Sequence, residues 1–141
     1  MVIALLPSKV HHSTSSTMWI LTVALALLGP AAVSAKSVFA HFMVGNTEKF
    51  VEADWRTQIA LAQAAKIDAF ALNMANKENT TITQIPNAFA AAEALGFQLF
   101  FSFDYAGNGA WDPATVISMI NQRNSSKAYF KYNKKPMVST L

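Results

Sequence analysis

There is no cysteine in this 141-residue chain. Disulfides, thiol nucleophiles and cysteine-ligated zinc are therefore excluded. Charge is also scarce: 13% of residues are Asp, Glu, Lys or Arg, against 52% hydrophobic. That balance excludes an intrinsically disordered protein, and the length allows at most one ordinary domain. The net charge is +3, yet the basic residues are scattered, the densest patch being Lys131, Lys134 and Lys135. A nucleic-acid binder concentrates its charge on one face or helix, so no nucleic-acid partner is expected. Histidine is limited to His11, His12 and His41, with no His-x-x-x-His pair, so no metal site is expected. The segment MVGNTEKF after the first predicted strand holds one glycine, too few for a dinucleotide or phosphate loop. A Gly-x-Ser-x-Gly nucleophile elbow is missing as well. No cofactor is expected.

What is present begins with a leader. Residues 18–35, MWILTVALALLGPAAVSA, carry an apolar stretch from Trp19 to Leu28, a Gly29-Pro30 break and then Val33-Ser34-Ala35. This is the apolar region and small-residue cleavage site of a secretory signal peptide. The run is too short to span a hydrocarbon core of roughly 30 Å, so no membrane association is expected after cleavage behind Ala35. Met18 is an alternative start, because residues 1–17 add only a weak apolar patch and a polar tract. Two sequons, Asn79-Thr80-Thr81 and Asn124-Ser125-Ser126, are expected in loops as glycosylation sites of a secreted protein.

Beyond the leader, strand-then-helix units recur. SVFAHFMV (37–44), DAFALN (68–73), QLFFSFD (98–104) and KPMVST (135–140) read as strands. Between them lie three helices. The first starts with Asp54 as N-cap and buries Trp55, Ile59 and Ala62. The second buries Ile85, Phe89 and Ala92 and ends at Gly96. The third opens at Asp112-Pro113 with Val116, Ile117 and Ile120 inward. Strand starts are about thirty residues apart, the length of a βα unit, and apolar strands separated by helices form a parallel sheet. An open doubly wound sheet and a (β/α)₈ barrel both fit. Small residues at Ala69, Ala71 and Ser102 suit a barrel interior. A closed barrel takes about 250 residues, so residues 36–141 are expected to supply its first three to four units.

In either architecture the strand C-termini share one face, where ligands bind. His41, Asn73 and Asp104 stand in or just after three strands, with the aromatics Tyr105 and Trp111 close behind Asp104. An imidazole, a carboxamide and a carboxylate on one rim, with flat rings nearby, would suit a sugar. The alternatives are a hydrogen-bonded core histidine, a turn-capping asparagine and an Asx-turn aspartate.

AHFMVGN, then W-x₃-I-x₂-A leading to IDAFALNMA, then GFQLFFSFDY, then KPMVST, together resemble the N-terminal part of fungal glycoside hydrolase family 71, the α-1,3-glucanases or mutanases. The resemblance implies a secreted (β/α)₈ enzyme that hydrolyses α-1,3-glucan of fungal cell walls with inversion, using two acidic residues. It also implies an incomplete site, since the family's acids lie in an Asp-x-x-Glu pattern on a later strand. No Asp here has Glu three positions on. Inversion needs an acid and a base about 6.5–9.5 Å apart. No catalytic residue is therefore expected in this chain; His41, Asn73, Asp104, Tyr105 and Trp111 are expected to bind the glucan, and the acidic pair to lie downstream. A non-catalytic glucan-binding relic and an unrelated open-sheet binding protein are the competing readings.

Overall fold

Three apolar strands stack in the order in which the chain makes them. The computed structural model describes residues 36–141; the leader, the Met18 start and the cleavage site lie outside the described residues. β1 (Phe39–Met43), β2 (Ala69–Ala75), β3 (Gln98–Asp104) and β6 (Val138–Thr140) form one sheet in the order β1-β2-β3-β6, parallel throughout. β2 and β3 carry apolar residues on both faces and are buried on both, as central strands of a covered parallel sheet are. Helices α1 (Glu52–Ala64), α2 (Asn79–Leu95) and α3 (Pro113–Arg123) connect the strands, and a 3-10 turn, Val44–Thr47, follows β1. No helix among the described residues is long and apolar enough to cross a membrane.

Register separates the two faces. Phe42, Leu72, Phe101 and Val138 form one cross-strand row, so alternate residues of these strands point to the helices. On that side Trp55 and Ile59 of α1 are fully buried, and the Trp55 ring lies 4.9 Å from Phe42 and 5.8 Å from Phe50. The indole N–H donates to Gln84 Oε1 at 2.8 Å, and Gln84 Nε2 donates to the Phe50 carbonyl at 3.0 Å. A buried polar pair thus ties α1 to α2 without leaving a donor unmet. Phe89 of α2 meets Phe101 and Tyr129 at 5.9 and 6.0 Å.

The helix ends follow local chemistry. Asp112 accepts from the Thr115 N–H and hydroxyl, both at 2.9 Å, with Pro113 at the first helical position, as expected. Gly96 closes α2 at φ 64°, where a side chain would be strained. Asp54 is not the N-cap of α1: the helix starts at Glu52, and Asp54 sits one turn in, its Oδ2 accepting from the Val51 N–H at 2.9 Å. An acidic residue at that position serves the exposed amides of the first turn from within.

Other expectations change more. Ile117 is 58% exposed, while Val116, Met119 and Ile120 pack against the core. KPMVST is broken at Met137: β5 (Lys135–Pro136) pairs antiparallel with β4 (Lys131–Tyr132), and only β6 joins the main sheet. Asn133 and Lys134 both have positive φ, the backbone of a tight hairpin turn, and so redirect the chain before β6. Neither sequon lies in a free loop. Asn79 is the first residue of α2, and Asn124 caps α3.

Candidate active-site rim

The sheet face away from the helices carries the candidate residues. Its rows, from strand start to strand end, are Phe39-Ala69-Gln98, His41-Ala71-Phe100, Met43-Asn73-Ser102-Ser139 and Ala75-Asp104. Successive rows are about 6.6 Å apart. Ala69, Ala71 and Ser102 do share one face, as the barrel reading requires. Small side chains here leave the middle of the face shallow, while Phe39, Phe100 and Phe130 wall its lower end, with centroid distances of 5.0 Å from Phe39 to each of the other two.

His41, Asn73 and Asp104 are brought to that same face, in three consecutive rows on three adjacent strands. His41 is solvent-exposed, so it is not a core histidine satisfied by hydrogen bonds. Asn73 is 5% exposed, and its Nδ2 has no hydrogen-bond partner. An unmet buried donor costs about 1–3 kcal/mol, and the Asn73 amide caps no turn.

Asp104 is both a rim residue and a turn residue. Its Oδ1 accepts from the Ala106 and Gly107 N–H groups at 2.8 and 2.9 Å, the Asx-turn arrangement. Oδ2 makes no hydrogen bond within the described residues. The close fit explains the glycine that follows: a Cβ on Gly107 would lie 3.0 Å from Asp104 Oδ2 and from the Ala75 Cβ. Tyr105 is 40% exposed beside it, and its N–H donates to the Leu141 carbonyl at 3.1 Å.

Trp111 stands apart. Its ring is 6% exposed, lies edge-on 5.0 Å from Phe103 on the helix side of the sheet, and donates its indole N–H to the Asp104 carbonyl at 3.2 Å. The expectation that it offers a sugar-stacking face on the rim is corrected. It clamps the Asp104 loop from behind, because the loop folds back over the strand end and buries the ring.

Three further residues belong to this rim. Ser102, 3% exposed, adjoins Asn73 in its row, and Ser139 follows on the far side of Ser102. Glu78 lies on the loop after β2; its Oε2 accepts from the Ala75 N–H at 3.2 Å, and its carboxylate fills the space a Cβ on Gly45 would need. The alternation of side chains along each strand was the available signal for the serines, but cross-strand register was not. Both rim carboxylates accept hydrogen bonds from backbone amides, Glu78 from Ala75 and Asp104 from Ala106 and Gly107. Among the described residues no group of three His, Cys, Asp or Glu side chains could hold a metal ion.

The chain is 38% identical over 140 residues to a mutanase from Penicillium rubens, covering 94% of this chain and 32% of that one. It is 34% identical over 108 residues to a glucan endo-1,3-alpha-glucosidase from Schizosaccharomyces pombe, covering 75% and 25% respectively. The chain thus spans about a quarter to a third of the length of the curated relatives it matches. Among solved structures, a GH99 endo-alpha-mannosidase from Bacteroides thetaiotaomicron superposes with a TM-score of 0.53 at 15% identity, over 63% of this chain and 28% of that one. That likeness concerns the fold alone. Residues 34–141 match the family model described as Glycosyl hydrolase family 71, and the chain belongs to that family.

Proposed function

We propose that residues 36–141 form the first units of a (β/α)₈ barrel in a secreted hydrolase of α-1,3-glucan. The acid and base of the reaction come from later strands. The observation that carries this reading is the aligned polar face: His41, Asn73 and Asp104 on neighbouring parallel strands of a family 71 chain, near the strand ends where parallel sheets bind ligands. The relatives named mutanase and glucan endo-1,3-alpha-glucosidase supply the substrate class.

In this reading the face binds and orients and does not transfer protons. Asn73 Nδ2 donates to a glucan hydroxyl, meeting its missing partner. Asp104 Oδ2 accepts from another, while Oδ1 keeps the loop in place. Exposed His41 and Tyr105 border the sugar. Fixing the glucan this way holds the scissile bond where two acidic groups flank it, the condition for a single displacement by water.

The test is hydrolysis of insoluble α-1,3-glucan by the secreted gene product, with β-1,3-glucan and α-1,4-glucan as controls. Reducing ends released from the first substrate alone are the expected outcome. A folded product that releases none from any of them would sink the proposal.

A further inference from the structure

A cavity of the described residues opens on the helix side of the sheet, with Glu78 at the edge of the rim as one of its lining residues. It is a groove of about 870 Å³ between α2 and α3, whose walls include Ile82, Ile85, Pro86, Trp111 and Met119. Asn79, the acceptor of the first sequon, is itself part of the wall. Asn79, Ile82 and Pro86 are spaced i, i+3 and i+7 and so share one stripe of α2. Asn79 and Pro86 are exposed, and Ile82 is 77% exposed, which leaves an apolar strip facing water. Two polar groups there also lack partners. Pro86 has no N–H to give the Ile82 carbonyl its helical bond. Thr81, another wall residue and 8% exposed, has a hydroxyl without a hydrogen-bond partner.

We propose that Asn79 is N-glycosylated and that the proximal sugars of its glycan lie in the α2–α3 groove. The proposal rests on the secretory reading of the leader. In the transfer, the Asn79 amide nitrogen loses a proton and bonds to C1 of the first N-acetylglucosamine of a lipid-pyrophosphate-linked oligosaccharide. The C1–O bond to pyrophosphate breaks, and the lipid pyrophosphate leaves. A sugar matches what the groove offers: its C–H face covers Ile82 and Pro86, and its hydroxyls reach the free Ile82 carbonyl. The second sequon differs, because Ser126 is engaged with Glu93 and with the Ala128 N–H, and it has no apolar strip beside it.

The experiment uses the full chain secreted from a yeast host. Glycopeptide mass spectrometry reads occupancy at Asn79, and hydrogen exchange reads protection of residues 80–87 and 113–120. Exchange there is expected to quicken severalfold in Asn79→Gln and to stay unchanged in Asn124→Gln. If Asn79→Gln is not secreted, endoglycosidase trimming of the folded glycoprotein to one sugar makes the same comparison and is expected to give the same quickening. An unoccupied Asn79 overturns the site, and an occupied one whose trimming leaves exchange unchanged overturns the seat. Neither result touches the glucanase reading, which stands or falls on sugar release.

Discussion

Asn73 shows how a single side chain separates binding from stability. Its amide is buried and unpaired, so Asn73→Leu is expected to raise unfolding free energy by about 1 kcal/mol in the secreted product, since the desolvation penalty disappears. Retention on insoluble α-1,3-glucan should fall in the same variant. A loss of stability, read by denaturant titration, would mean that the amide has a partner in the folded protein. Tyr129 makes the opposite case. Its hydroxyl donates to the Met137 carbonyl at 3.0 Å, and burial pushes its pKa from 10.0 to about 12. The folded state then holds the phenolic proton more tightly than the unfolded chain does. The stabilisation is complete below pH 10 and is lost as pH rises from about 10 to 12, with a full value of about 2–3 kcal/mol. Tyr129→Phe should flatten that alkaline limb in a series of melts across the range.

Among the elements, α3 is the loosest. It has no buried residue and packs through the half-buried Val116, Met119 and Ile120, so its cap supplies much of what holds its first turn. Asp112→Ala should cost about 1 kcal/mol and speed amide exchange in residues 114–116 before any other segment. The elements that the sequence revealed best are those with a strong period and a clear stop. Trp55, Ile59 and Ala62 marked the buried stripe of α1, Ile85, Phe89 and Ala92 that of α2, and Gly96 its end. The reading failed where tertiary pairing decided. Nothing in KPMVST announces that Lys135 and Pro136 turn back on β4, because the signal is the left-handed backbone of Asn133 and Lys134, neither a glycine. That His41, Asn73 and Asp104 share one sheet face was legible because each is a polar residue in an otherwise apolar strand. Trp111 misled because proximity in sequence to Asp104 does not say which side of the sheet a loop returns on.

For the whole molecule, the two faces of the sheet have unequal fates. The sheet's helix side packs against a continuous apolar core, whereas Phe39 and Met43 on the other face are 37% and 54% exposed. Residues 36–141 produced alone should therefore bind a dye for exposed apolar surface and self-associate in sedimentation, with a broad thermal transition by circular dichroism. A monomer with a sharp, cooperative transition would count against the barrel reading. The strand order adds a consequence for how the protein is made. Each strand of the main sheet lies beside the one synthesised before it, so every new strand meets a finished edge as it leaves the ribosome or the export channel. Assembly can then follow synthesis from the amino end, and a pause in translation would leave an ordered partial sheet instead of a chain waiting for distant partners.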